Sequence, residues 1–124
     1  MASLNRIEII GNLGTDPKMA FLPSGSPVTE FRVATHETTK DGERTEWFGV
    51  VCYDKLAETT NQYLTKGSLV YVSGRQRTRS WENDQETRTR VELIASMVEF
   101  LDKPPRTTDG QRQDNSTNQS LPSV

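Results

Sequence analysis

Apolar and polar positions alternate through most of the first hundred residues, and a period of two marks strands that bury one face. Leu4 to Asn12 sets Leu4, Ile7, Ile9 and Ile10 among Asn5, Arg6 and Glu8, which predicts a first strand. Gly11-Asn12-Leu13-Gly14 and Asp16-Pro17 stop or bend it. Phe21 to Val28, with Pro23, Gly25 and Pro27, reads as a loop holding a short extended piece around Phe21. From Val28 to His36 the alternation is clean, with Phe31 and Val33 on one side and Glu30 and Arg32 on the other. Glu37 to Thr45 is a polar connection carrying Asp41-Gly42, a strong hairpin-turn dipeptide, so the second strand folds back on a third, Glu46 to Tyr53. That third strand puts Phe48, Val50 and Cys52 on one face and Trp47, Gly49, Val51 and Tyr53 on the other.

The period then changes. Leu56, Ala57, Thr60, Tyr63 and Leu64 recur at helical spacing, which predicts a helix over Asp54 to Gly67 with Asp54 as N-cap, Lys66 in the last turn, Gly67 as the stop and Tyr63 in the core. A fourth strand, Ser68 to Trp81, and a fifth, Arg88 to Leu101, are joined by Glu82 to Thr87. Pro104-Pro105 close the domain. Arg106 to Val124 has only Leu121 and Val124 as apolar side chains, too few to offset the entropy of ordering, so residues 104–124 are expected to form a flexible tail. Three strands, a helix and two strands is the order of an all-β, five-stranded Greek-key OB-fold barrel, assigned here to residues 1–103. An SH3-like barrel competes, but gives no reason for a full helix between the third and fourth strands.

One stretch stands out on this frame. In Gly74-Arg75-Gln76-Arg77-Thr78-Arg79-Ser80-Trp81, an extended chain places Arg75, Arg77, Arg79 and Trp81 on one face, a row of cations ending in an indole. Cations track phosphates and indoles stack on bases. The competing reading is an edge strand kept soluble by arginine. The 124-residue chain has 15 Lys and Arg against 17 Asp and Glu, so any phosphate site is local rather than global. Arg75 to Arg90 holds five arginines against Glu82, Asp84 and Glu86, with the acids at the expected hairpin tip and the arginines on its arms.

Trp47 and Tyr53 are six residues apart on one strand and project together. Because Phe48, Val50 and Cys52 already supply an interior face, these two rings are left for the outside. With Trp81 they make three flat platforms, interleaved with Arg75, Arg77, Arg79 and Arg88 and flanked by Lys55 or Lys66. Duplex bases are already stacked on one another, so the pattern suits single strands. Arg6 and Arg32 either extend the groove or are solvated charges. Tyr71 reads as structural and His36 as a turn-adjacent polar residue.

Other chemistries lack their parts. One Cys and one His exclude a disulfide framework and a protein-only zinc site, so no metal and no cofactor are expected, and Cys52 reads as a small buried residue. There is no glycine-rich phosphate loop, nucleophile elbow or converging acidic set, hence no expected catalytic residue. No apolar run approaches the ~20 residues that span a bilayer. The six residues before the first apolar strand positions are short for a transit peptide, so the cytoplasm, in association with DNA, is expected over the mitochondrial matrix.

The chain resembles the bacterial-type single-stranded DNA-binding proteins, a homotetrameric OB-fold family also found in mitochondria. The likeness starts at Asn5-Arg6-Ile7, Gly11-Asn12-Leu13-Gly14, Asp16-Pro17, and Phe21, Pro23 and Gly25, then Thr45-Glu46-Trp47. It continues through Lys55-Leu56-Ala57, Tyr63-Leu64, Lys66-Gly67-Ser68, Val70-Tyr71-Val72, and Arg77-Thr78-Arg79 with Trp81. The resemblance implies base stacking on Trp47, Tyr53 and Trp81 and backbone contacts from Arg77, Arg79, Lys55 and Lys66. It also implies a homotetramer that binds and protects single-stranded DNA, without catalysis, in replication, recombination and repair. Two departures stand out. Thr38-Thr39 occupy a place where members often carry another stacking Trp, and Asn115 to Val124 lacks the acidic tip, so docking of replication and repair proteins that read such a tip is not expected. The alternatives are a replication-restart adaptor of OB type, which tends to lack the stacking aromatics kept here as Trp47 and Trp81, and a structural OB domain with a solvated arginine edge.

Overall fold

The computed structural model describes residues 1–83 and 85–102. The expected tail and Asp84 at the hairpin tip lie outside them. Six strands and one helix follow in the order β1 (Ile7–Leu13), β2 (Lys18–Phe21), β3 (Pro27–Thr39), β4 (Gly42–Tyr53), α1 (Asp54–Tyr63), β5 (Leu69–Glu82) and β6 (Thr87–Phe100). The sheet runs β1-β5-β6-β4-β3-β2, and a second pairing of β1 with β3 closes it into a five-stranded barrel of β1, β3, β4, β5 and β6. All pairings are antiparallel except β4 with β6. The short extended piece expected near Phe21 is β2, a flap paired with β3 outside the closed barrel.

Closure depends on β1 changing partner. Ile7 to Asn12 pair with β5, and Asn12 and Leu13 also reach Ala34 and Val33 of β3. At Gly11 the two sheets meet so closely that a Cβ would collide with the Ala34 carbonyl oxygen. Any side chain there would push the barrel open. The other end of β1 is extended past its last paired residue by a side chain. The Asn5 carboxamide donates to the Gln76 carbonyl at 2.8 Å and accepts from the Gln76 N–H at 2.9 Å, mimicking one more rung of the ladder.

The interior follows the alternation. Ile9, Leu13, Phe31, Val33, Val50, Cys52, Val70, Val72 and Leu93 fill it, with Ala57 and Leu64 from the helix segment. Helix α1 packs on β3 and β4, anchored where the buried Thr29 hydroxyl donates to the Ala57 carbonyl at 2.7 Å. Burial pushes the Cys52 thiol up to about 11, so it stays a neutral apolar filler at ordinary pH.

Four expectations for the helix are corrected. Asp54 is its first residue, in a left-handed backbone conformation (φ 58°) that Asp tolerates, and no side chain caps the helix. The helix stops at Tyr63 rather than running to Gly67. Beyond Leu64 the chain is held by distant partners: Lys66 N–H donates to Asp16, Gly67 N–H to the Leu13 carbonyl, and Asn12 to the Gly67 carbonyl. Lys66 is therefore in a turn, not in a last helical turn. Tyr63, expected in the core, is 61% exposed and tilts against Phe100 at 6.1 Å, since Ala57 and Thr60 take the buried face.

The polar stretch 37–45 is also not a loop. β3 and β4 continue in register through His36↔Thr45 to Thr39↔Gly42, and only the two residues between form the turn, with Gly42 at φ 123°. His36 accordingly sits within a strand, its ring nitrogen Nδ1 3.0 Å from the Thr45 hydroxyl. Asn5→Ala removes both bonds that extend β1 along β5, and the expected loss is about 1–2 kcal/mol. A lower urea midpoint with an unchanged m-value is the signature to measure, with faster amide exchange at Gln76.

Candidate nucleic-acid interface

Residues paired across strands project from the same face, so the register assembles the outer surface row by row. One row crosses four strands: Arg32 on β3 stands beside Gly49 on β4, Gly49 beside Glu92 on β6, and Glu92 beside Arg77 on β5. Trp47 lies next to Ala34, and Tyr53 next to Val28. Along β5, Arg75 faces Ile94, Arg79 faces Arg90 and Trp81 faces Arg88. The interior and exterior sets on β4 separate as the alternation requires, except that Val51 is also buried, between Glu30 and Ile94 in register.

The strands that carry this face are aimed by a bulge. The β5–β6 register shifts between Ser73 and Gly74, where a Cβ on Gly74 would strike the Ile94 carbonyl. Bulges bend and over-twist a strand pair. Before the shift Val70 and Val72 point into the core. Beyond it, Arg75 to Glu82 form an exposed arm whose outward side chains are three arginines and Trp81.

Each aromatic on this face has an arginine at its ring. Arg32 lies over Trp47 with its guanidinium carbon 5.0 Å from the ring centroid, Arg77 is 5.9 Å from Tyr53, and Arg79 is 5.5 Å from Trp81. These are distances at which a guanidinium is drawn to a ring face. Trp47 is 49% and Trp81 39% exposed, so each ring keeps surface for a ligand. Trp47 owes its seat to Gly14, where any Cβ would run into the benzo half of the indole.

A buried carboxylate ties the set together. Glu92 is only 2% exposed; its Oε1 accepts from Arg77 Nη2 at 3.1 Å and its Oε2 lies 3.7 Å from Arg79 Nη1. The same Arg77 Nη2 donates to the Tyr53 hydroxyl at 2.9 Å. The hydrogen bonds to Tyr53 and Glu92 push the Arg77 guanidinium above its ordinary range, so it stays charged at every working pH. A continuous path runs from Tyr53 through Arg77, Glu92 and Arg79 to Trp81.

Of the residues singled out from the sequence, Trp47, Tyr53, Trp81, Arg77 and Arg79 converge here. Arg75 is exposed on the same row, opposite Ile94, and Arg88 stands beside Trp81 while pairing with Glu86 at 2.9 Å. Lys55 lies in the first turn of α1, two residues past Tyr53. Lys66 sits on the turn after α1, where its backbone N–H donates to Asp16 and the next residue, Gly67, donates to the Leu13 carbonyl. Arg32, left open by the sequence, joins the face at Trp47, whereas Arg6 pairs with Glu8 at 2.7 Å. Sequence reasoning missed Glu92. Its only local signal is a lone charge in the run Val91-Glu92-Leu93-Ile94, because what it meets is set by pairing with β4 and β5. Among the described residues no group of His, Cys, Asp and Glu is placed to hold a metal ion, and no helix is long and apolar enough to cross a membrane.

The face can present flat apolar surfaces at intervals, each with a fixed positive charge beside it. The chain is 43% identical over 105 residues to a single-stranded DNA-binding protein of Neisseria meningitidis, matching over 80% of this chain and 60% of that one. It therefore spans less than two thirds of that relative's length. It is 38% identical over 123 residues to single-stranded DNA-binding protein 1 of Xylella fastidiosa, with 94% of this chain and 85% of the relative covered. Among solved structures, the Plasmodium falciparum SSB in complex with ssDNA superposes with a TM-score of 0.78 at 34% identity, over 82% of this chain and 98% of that one. The model of the Single-strand binding protein family matches residues 4–101, nearly the whole described region, and the chain belongs to that family.

Proposed function

We propose that this protein binds single-stranded DNA without regard to sequence and protects it during replication, recombination and repair. The observation that carries the reading is the grouping of Trp47, Tyr53 and Trp81 on one barrel face, each with an arginine at its ring. Every base has a π-face, so stacking is indifferent to sequence, while phosphates along the same strand meet the guanidiniums. A duplex offers no free base faces. Arg75, Arg77, Arg79, Arg88, Lys55 and Lys66 supply the backbone contacts in this reading. The interface works by geometry and charge and needs no catalytic group. We assign this binding to the cytoplasm.

The assembly we infer is a homotetramer. Outside the barrel, away from the aromatic face, Ile10 is 49% and Met97 46% exposed, and Tyr71 lies next to Ile10 in register. This face, where Ile10, Tyr71 and Met97 stand with Glu8 and Glu99 in the same register rows, is suited to a symmetric copy of itself.

Oligo-dT added to the protein is expected to quench most tryptophan emission, and Trp81→Ala to cost about 1–3 kcal/mol of affinity with the fold intact. Unchanged emission at saturating strand would remove the stacking reading. With about three to five phosphates neutralised per domain, log affinity is expected to fall against log salt with a slope of roughly −2 to −3.5. A flat salt response would leave the arginines as an edge device. Light scattering is expected to give four times the 14.0 kDa chain mass at micromolar concentration, and a monomer mass would exclude the tetramer.

A further inference from the structure

Glu92 is a charged side chain with almost no surface, placed in the middle of a face whose purpose is to attract anions. A buried ion pair is a poor stability device, because well-packed apolar residues of the same volume often serve as well or better. Its presence calls for another explanation. Both of its oxygens are engaged, one by each arginine of the row, and β4 offers only Gly49 at that register, so the carboxylate's charged partners come from β5. Arg77 in turn holds the Tyr53 hydroxyl, and Arg79 lies over Trp81.

We propose that Glu92 is a positioning residue of the single-strand interface: it fixes the guanidiniums of Arg77 and Arg79, and through them the spacing of the Tyr53 and Trp81 platforms, while cancelling one of the two positive charges. The proposal rests on the single-stranded DNA reading. Without the carboxylate, two like-charged guanidiniums on adjacent outward positions would repel, turn to solvent, and abandon the rings. Glu92 thus trades raw attraction for phosphates against a defined set of stacking sites. A strand with bases gains from that exchange, and a bare sugar–phosphate strand loses by it.

This asymmetry supplies the test. Affinities for oligo-dT and for an abasic deoxyribose-phosphate strand of equal length are measured across a salt series with the full chain. Wild type is expected to prefer oligo-dT. Glu92→Gln keeps the shape and removes the charge. It is expected to bind the abasic strand severalfold more tightly, to steepen the salt slope by about 0.7, the increment for one more cation on a single strand, and to cut the preference for oligo-dT about tenfold. Glu92→Asp keeps the charge but draws it back by one methylene, so its expected result is a reduced preference with an unchanged slope. Urea midpoints establish that the variants fold.

A preference that stays within twofold of wild type in the folded variants would overturn the proposal, as would loss of fold in both, since the carboxylate would then serve the core. A wild-type protein that binds both strands alike would instead remove the stacking reading itself.

Discussion

The ladder between β5 and β6 holds both halves of this molecule. Before the bulge at Gly74 its inward residues Val70 and Val72 are core; beyond it Leu93 still faces the core, while the outward residues Arg77, Arg79, Trp81 and Glu92 are the candidate interface. Since side chains alternate strictly along a strand, each residue that fills the barrel leaves its neighbours facing outward. A slip of one residue in that ladder would exchange the two sets and destroy both. The fold and the interface are therefore specified by the same pairing, and neither is an addition to the other.

Electrostatics is arranged at short range. The chain as a whole is slightly acidic, with a formal charge of −2, yet each aromatic of the outer face has a guanidinium against it. Over a Debye length of about 8 Å at physiological salt, a ligand strand senses these neighbours far more than the net charge. Net acidity limits adhesion to polyanions elsewhere on the surface.

Much of the architecture was legible because it is written in local period. The interior set on β4, the outward parity of Trp47 and Tyr53, and the arginine row all follow from alternation, and the strand bounds on β5 and β6 were off by a single residue at each end. What escaped depends on partners far along the chain. The helix was overextended because Leu64 continues its apolar spacing, whereas the turn after it is claimed by Asn12, Leu13 and Asp16. The hairpin arms of β3 and β4 looked like a loop because beyond the barrel neither side buries enough to impose alternation. Glu92 was invisible as a member of the site and Arg32 was left undecided, since a charge acquires its meaning from the strand across from it.

Gly14 shows how far such a site extends past its own contacts. It lies outside the strands, carries no side chain, and offers a ligand nothing that a base or phosphate would recognise, yet the Trp47 ring rests where its methyl group would be. A map of the interface drawn from touching atoms would leave it out. A map drawn from tolerance to substitution would include it, and the two would disagree at a residue whose contribution is empty volume. For this barrel, the edge between scaffold and recognition surface runs through a missing carbon atom.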